Sequence, residues 1–325
     1  MRNRMMFLLT VVLLAIAGTI GPASGAAQYP NPRPIRGFAA THDPSMVRLA
    51  DGSYEVFATH DGIEVYASPD RVHWRSIGQA LPGGAPWADD YQNGNATDLW
   101  APDVSFHRGR YYLYYAVSSF GSNHSAIGLA TSKTARPGSW HDHGLVLATT
   151  TSDDANAIDP GLLVDKHHRW WLSYGSFWSG IKMVRLDPTT GKPAADAQVH
   201  ALAQRPSPDA LEGAYVYRHA GYYYLFASYD YCCRGVNSTY NIRVGRSKLP
   251  DGPFVDEAGT PLMQDGGTQL LASHGYVIGP GGQSVLRDRG RDWLVYHYYN
   301  KRDAGTPRLA INPLAWRHGW PVVAR

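Results

Sequence analysis

One layout occurs five times along the chain, and that repetition constrains the fold more than any other feature. Each occurrence opens on an acidic or polar residue beside Pro or Gly: His42-Asp43-Pro44, Ala101-Pro102-Asp103, Ile158-Asp159-Pro160, Leu211-Glu212-Gly213 and Gly281-Gly282-Gln283. Counted from Asp43, the steps are 60, 56, 53 and 71 residues. Each opening leads into a short apolar strand: 45–49, 104–107, 161–165, 214–218 and 284–287. A polar or Gly-containing turn follows, then an aromatic strand: 54–59, 111–117, 170–174, 222–228 and 293–298. A third strand is expected at 62–68, 126–132, 181–186, 240–247 and 308–312, and a weaker fourth one around Trp74, Trp140, Phe254 and Trp316. Four strands per unit of roughly 50 residues, repeated, describe the blades of a β-propeller. The chain is therefore expected to be all-β, a five-bladed propeller. A β-sandwich is the structural rival, but it does not require fivefold repetition.

Composition agrees with many short strands. Gly (34), Pro (22) and the aromatics (8 Phe, 10 Trp, 21 Tyr) supply turns and β-formers. The five units fill 27–325 as one domain and leave no room for a second.

The first 26 residues read as an export signal. Arg2 and Arg4 precede a charge-free run over 5–20, and Ser24-Gly25-Ala26 fits a small-x-small cleavage site. A retained anchor is the alternative, but the run is short for a bilayer span of roughly 20 residues. The mature chain, 27–325, is expected to be secreted and extracellular. Without the signal, basic residues number 28 against 27 acidic, a net charge of +1. That balance argues against a nucleic-acid or acidic-membrane partner. The only cysteines, Cys232 and Cys233, are neighbours. A vicinal disulfide and two free thiols both fit the sequence. Zinc does not, for want of further ligands at suitable spacing.

In a propeller the first strand of each blade lines the central channel, so the openings converge at one mouth. Asp43, Asp103, Asp159 and Glu212 would then crowd together, with Gly282 or Gln283 from the fifth blade. Like charges in a partly desolvated pocket are costly. Such a cluster implies a held cation or proton chemistry with separated pKa values. For Asp103, accepting a backbone N–H bond is an equally good reading.

At these residues the chain resembles family 43 glycoside hydrolases, the five-bladed arabinanases and related arabinofuranosidases. The matching strings are His42-Asp43-Pro44-Ser45, Trp100-Ala101-Pro102-Asp103-Val104, residues 111–132, Asn156-Ala157-Ile158-Asp159-Pro160, residues 175–181, Glu212-Gly213-Ala214-Tyr215 and residues 232–247. Together they extend over about 36–322. The resemblance implies a general base at Asp43, a general acid at Glu212, and Asp159 tuning and orienting that acid. Inverting hydrolysis uses this division: one protonated carboxyl at the leaving oxygen and one carboxylate holding water on the opposite face.

The resemblance further implies hydrolysis of α-1,5-L-arabinofuranosidic bonds in arabinan, a neutral plant cell-wall polysaccharide. Endo action is expected, with an exo-1,5-α-L-arabinofuranosidase as the alternative, and the enzyme is expected to be a monomer. A non-catalytic carbohydrate-binding propeller would not need three acids at three openings. A fructan-cleaving propeller would carry a Trp-Met-Asn-Asp-Pro string where His42-Asp43-Pro44 stands. Expected substrate contacts are Trp100, Phe120 and Trp178, because sugar C–H faces pack on aromatic rings, and Asn156, Ile158 and Ser176, which flank the same mouth and shape the pocket. Clusters His141-Asp142-His143 and His167-His168 are expected in solvated turns.

The sequence departs from the family pattern in blade five. Many members carry Gly-Pro-Gly-His there, and the His helps hold a central hydrated calcium ion. Here the string is Gly279-Pro280-Gly281-Gly282-Gln283, with Gly282 in the ligand position. No cofactor and no protein-bound metal are therefore expected, and His274 and His297 are the candidate substitutes if an ion is held.

Overall fold

The structure, a computed structural model, describes residues 29–325 apart from 38, 39, 93 and 207. The expected signal segment lies outside the described residues. Among them, no helix is long and apolar enough to cross a membrane.

Five antiparallel sheets follow one another along the chain. Blade one comprises Ser45–Arg48, Tyr54–Ala58, Glu64–Ser68 and Arg75–Gln79. Blade two comprises Trp100–His107, Arg110–Val117, Ser125–Ser132 and His141–Thr149. Blade three is built from Gly161–Val164, Trp170–Tyr174, Ile181–Asp187 and Val199–Ala203, with a two-residue strand, Lys192–Pro193, added. Leu211–His219, Tyr222–Tyr229, Asn241–Ser247 and Thr268–Leu271 form blade four. Blade five consists of Val277–Asp288, Arg291–Asn300, Thr306–Arg317 and Trp320–Val323. The first strand of each blade touches the first strands of the blades on either side, and blade five returns to blade one. The five-bladed propeller expected from the repeats is the fold of the chain.

The aromatic second strands owe their composition to this arrangement. Both faces of a blade are buried against neighbours, so the period-two alternation of a strand sends side chains into two different cores. In Arg110–Val117, residues Tyr111, Leu113, Tyr115 and Val117 pack toward blade one. Tyr112 and Tyr114 pack toward blade three. Tyr223, Leu225, Ala227 and Tyr229 of blade four enter the core shared with blade three, while Tyr224 and Phe226 enter the one shared with blade five. Trp293 and Val295 meet Met46 and Val56 in the core that closes the ring. Buried tyrosine hydroxyls find partners: Tyr114 donates to Gly191 O at 2.8 Å and Tyr296 to Asn312 Oδ1 at 2.9 Å. An aromatic body with a satisfied polar tip suits a thick inter-sheet layer.

Ring closure has its own bonds. Ser284 Oγ of blade five donates to Pro44 O of blade one at 2.9 Å. The N-terminal segment lies along blade five, where Asn312 Nδ2 donates to Asn31 O at 3.1 Å.

Three local expectations are corrected. Phe254 lies outside the fourth strand of blade four, which is Thr268–Leu271; its ring is instead buried in the core between blades three and four. Trp316 belongs to the third strand of blade five, and the fourth is Trp320–Val323. His141-Asp142-His143 begins a strand rather than a turn, because Asp142 is held by Tyr115 Oη at 2.8 Å and Trp87 Nε1 at 3.0 Å. His167-His168 does lie in a turn.

Antiparallel order also sorts the loops. The openings and the loops between second and third strands share one face. The hairpins joining first to second strands, such as Asp51-Gly52, occupy the other. Phe120, the 176–179 turn and Cys232-Cys233 therefore lie on the face of the mouth.

Candidate active site

The five openings are built alike. Each carries one residue in the left-handed region: Asp43 (φ 46°), Ala101 (φ 44°), Asp159 (φ 56°), Gly213 (φ 63°) and Gly282 (φ 56°). Aligned on that residue, the expected acids are not equivalent. Asp43 and Asp159 occupy the left-handed position itself, Glu212 stands one residue before it, and Asp103 stands two after. Asp tolerates this conformation better than most residues, at a cost of order 1 kcal/mol or more.

The register explains Asp103. Its position is that of Ser45, on the strand rather than at the bend, and its side chain reaches sideways to the next blade. Oδ2 accepts the Leu162 N–H at 2.7 Å, and Ser45 Oγ lies 3.5 Å from Oδ1. Burial pushes its pKa up to about 7. Asp103 thus ties blade two to blade three. Asp159 makes the corresponding link onward, accepting the Gly213 N–H at 2.8 Å. Asp43, Asp103, Asp159, Gly213, Gly282 and Gln283 line one cavity at the channel mouth.

Asp43 is the most tightly held of the group. Its Oδ2 receives Thr59 Oγ at 2.7 Å and faces His42 Nδ1 at 2.9 Å. Thr59 is itself fixed by accepting the Ala101 N–H at 2.9 Å. Burial raises the Asp43 pKa, but the His42 ring and the Thr59 hydroxyl bonded at Oδ2 outweigh burial and hold the carboxyl well below its usual range. Oδ1 has no such donors. It faces the His297 Nδ1 at 3.5 Å, and that nitrogen accepts the Asp43 backbone N–H at 3.1 Å.

Glu212 has the opposite electrostatics. It is 8 % exposed. Burial pushes its pKa up to about 7, assisted by the charge of Asp43 and opposed by the Ser176 hydroxyl. Ser176 Oγ donates to Oε2 at 2.6 Å, and Tyr240 Oη donates to Oε1. Asp159 is also pushed upward, first by burial and then by the negative charges of Glu212 and Asp43. One mouth therefore holds a carboxylate kept ionised beside carboxyls kept protonated.

The expected substrate contacts divide into two groups. Ser176 touches Glu212 directly. Its turn packs on blade four through the Phe177 N–H, which donates to Leu211 O at 3.0 Å, and Trp178 is the next residue of that turn. Asn156 and Ile158 are buried just before Asp159, where Ile158 O accepts the Gly175 N–H at 2.9 Å. Trp100 precedes the bend of blade two. Phe120 stands apart: it is 83 % exposed on the mouth face, in a loop tied to blade three through Asn123 Nδ2 and Asp153 O at 2.7 Å.

Sequence reasoning passed over His42, Thr59, Tyr240 and Tyr299. His42 and Tyr240 stood inside quoted strings, but no spacing rule points to them. Their partners are Asp43 and Glu212, and the bond between Tyr240 and Glu212 spans 28 residues.

Of the two substitute histidines, His274 is engaged elsewhere, with Nδ1 near Ala272 O and Nε2 near Pro30 O. His297 is in the site, fully buried and stacked on His42 with ring centroids 3.7 Å apart. Burial pushes its pKa well down, so the ring is neutral. His42, Asp43 and His297 bring their ligand atoms close together. The set does not suit calcium, which takes six to eight oxygens. Two of the three donors are nitrogens, and all but one of the ring nitrogens already has a partner. The exception is His297 Nε2, which is buried without one. The neighbouring His42, Cys232 and Cys233 group offers no thiolate, since the two sulfurs are bonded to each other. The cysteines are thus a vicinal disulfide.

The sequence model described as glycosyl hydrolases family 43 matches residues 32–321. An extracellular endo-α-(1→5)-L-arabinanase of Bacillus subtilis is 42 % identical over 284 residues, 86 % of each chain. An extracellular exo-α-(1→5)-L-arabinofuranosidase of Cellvibrio japonicus is 39 % identical, covering 87 % of this chain and 86 % of that one. Among solved structures, a family 43 endo-arabinanase from Bacillus licheniformis superimposes with a TM-score of 0.84 at 42 % identity, covering 89 % of this chain and 99 % of that one. A Cellvibrio cellulosa α-L-arabinanase complexed with arabinohexaose gives 0.83 at 38 %, covering 88 % and 96 %.

Proposed function

The chain belongs to family 43 of the glycosyl hydrolases, and from that membership we propose a secreted enzyme that cuts internal α-1,5 bonds of arabinan with inversion. The observation that carries the chemistry is the opposed state of two carboxyls at one mouth. Asp43 is held ionised, and Glu212 is held protonated up to about pH 7. An inverting glycosidase needs that pairing.

In this reading a water sits at Oδ1 of Asp43, the oxygen not occupied by His42 and Thr59. As its oxygen bonds to the anomeric carbon, Asp43 takes its proton. On the other side, Glu212 gives its proton to the glycosidic oxygen as the C–O bond breaks. Ser176 and Tyr240 aim the Glu212 carboxyl, and Asp159 orients it by holding the Gly213 N–H next door. Trp178, Trp100 and the exposed Phe120 supply faces for arabinose rings, and the buried Asn156 and Ile158 shape the wall.

Arabinan as substrate and endo action are supported by the Bacillus subtilis relative. The N-terminal segment and the word extracellular in the names of two relatives support secretion. Exo action is the second reading, favoured by the Cellvibrio japonicus relative. A timed product profile on debranched linear arabinan tests both. Endo action releases a ladder of oligosaccharides from the first minutes, whereas a single short product from the start establishes exo action. No release of reducing ends would leave only a binding protein.

A further inference from the structure

The vicinal disulfide lies within reach of the base. Cys233 Sγ is 3.9 Å from His42 Nε2. Cys233 is in the left-handed region (φ 65°), a conformation rare for a β-substituted residue. A bond between adjacent sulfurs closes a small ring that includes the intervening peptide, so the backbone of Cys233 is fixed by it. The Cys233 N–H points at Tyr299 Oη, 2.7 Å away. Tyr299 Oη is in turn 2.7 Å from His42 Nε2. His42 Nδ1 is 2.9 Å from Asp43 Oδ2.

These contacts form a chain whose direction is set at both ends. A backbone N–H can only donate. Tyr299 Oη therefore accepts from Cys233 with one lone pair. Burial pushes the Tyr299 pKa upward, so the hydroxyl keeps its proton and has one to give. At the far end Asp43 is an acceptor, so His42 Nδ1 must carry a hydrogen. The arrangement that satisfies every atom has Cys233 N–H donating to Tyr299, Tyr299 O–H to His42 Nε2, and His42 Nδ1–H to Asp43 Oδ2. His42 is then neutral, in one tautomer. Ser238 also borders Tyr299 and fits its second lone pair: Ser238 Oγ accepts the Arg234 N–H at 3.0 Å and keeps its own hydroxyl hydrogen to donate, which leaves the Tyr299 O–H for His42.

We propose that the Cys232–Cys233 disulfide acts through Tyr299 and His42 as a positioning device for Asp43, fixing His42 as a neutral Nδ1–H donor to Oδ2 so that Oδ1 alone is left for water. Cys233 and Tyr299 are positioning residues and touch no substrate in this scheme. The inference rests on Asp43 being the base. It goes further by making hydrolysis depend on the redox state of two sulfurs outside the catalytic trio. The same loop carries Tyr240, which donates to Glu212, so reduction loosens a segment that touches both carboxyls.

The test uses the mature protein in oxidised form, after reduction with a phosphine, and as Tyr299→Phe. Side-chain 15N NMR of His42, assigned by loss of its signals in His42→Gln, reads the tautomer directly. The expected result is a neutral ring protonated at Nδ1 in the oxidised protein and averaged tautomers after reduction. Arabinan hydrolysis should lose kcat by on the order of 10- to 100-fold in the reduced form with KM little changed, since a small misplacement of a reacting group has costs of that size. Circular dichroism checks that the propeller persists. Should the reduced chain unfold, Tyr299→Phe carries the test with the disulfide intact and should show the same NMR change and kcat loss. A ring protonated at Nε2 or at both nitrogens in the oxidised protein overturns the proposal, as does a kcat unaffected by either change. Failure of the base assignment has a different signature: Asp43→Asn would keep its activity while the His42 signals still responded to reduction.

Discussion

A Cβ added to Gly282 would fall 2.4 Å from Oδ1 of Asp43 and 2.7 Å from Nδ1 of His297. The room that a side chain at 282 would need is taken by the imidazole of a residue on the next strand. The Gly-Gly-Gln string is therefore a packing consequence: a histidine has entered the site from the second strand of blade five instead of the first. Gly282→Ala should push Asp43 off its hydrogen bonds and strain a backbone at φ 56°. Stability should fall by roughly 1–3 kcal/mol and kcat by more than that loss explains. Thermal melts and kinetics on arabinan check this; an unchanged kcat would mean that the Asp43 position is not critical.

Glu212→Gln and Asp43→Asn should separate by leaving group. Without Glu212 the sugar leaving oxygen gets no proton, and arabinan cleavage should fall by ~10²–10⁴-fold. An aryl arabinoside with an acidic phenol leaves unaided and should lose much less, provided the enzyme turns it over. Asp43→Asn removes the base that both substrates need, so both should fall alike. Equal ratios for the two variants would mean that the acid and base roles are misassigned.

The pH profile carries the sign of the Glu212 shift. Activity needs the protonated form, which predominates below about pH 7 and is lost above it, so the alkaline limb of kcat should fall near neutrality. Burial and the charges of Glu212 and Asp43 keep Asp159 protonated while Glu212 titrates, so it adds no charge against Glu212. In Asp159→Asn the alkaline limb should therefore stay near neutrality. A limb moved to lower pH would show that Asp159 is ionised in the working enzyme and raises Glu212 by charge repulsion.

Base and acid come from blades one and four, with the channel mouth between them. Inverting pairs stand ~6.5–9.5 Å apart, against ~5–5.5 Å for retaining pairs. The first-formed product from the α-linked substrate should be the β-anomer, read by NMR before mutarotation. An initial α-anomer would sink the inverting assignment.

Activity should survive chelation. The donor set around Asp43 is rich in nitrogen and already paired, which suits neither calcium nor magnesium. Assays with and without a strong chelator test this. Loss of activity that calcium restores would point to an ion held near His297 Nε2, the one buried ring nitrogen there without a partner.

The blade order was legible in the sequence because a propeller repeats one local problem. Every blade needs a bend, a channel strand and an aromatic strand buried on both faces. The spacing of Asp43, Asp159 and Glu212, with the Tyr- and Trp-rich strands between them, exposed that solution. The fourth strands were read least well. Phe254 and Trp316 misled because a buried aromatic marks a core without saying whether its own backbone is paired in a sheet.

What the sequence determined by itself was the repeat, and with it the meeting of acids from separate blades at one mouth. What only the tertiary structure decided was how those acids differ. Asp103 turns sideways to cap Leu162, while Asp43 faces the channel, because their positions differ by two residues around a left-handed bend. The opposed states of Asp43 and Glu212 come from His42 and Thr59 around the one and from burial of the other, against which the Ser176 hydroxyl pulls. Hydrogen bonds and desolvation act over a few ångströms in space, and folding brings those partners within reach from up to 36 residues away, as with Ser176 and Glu212.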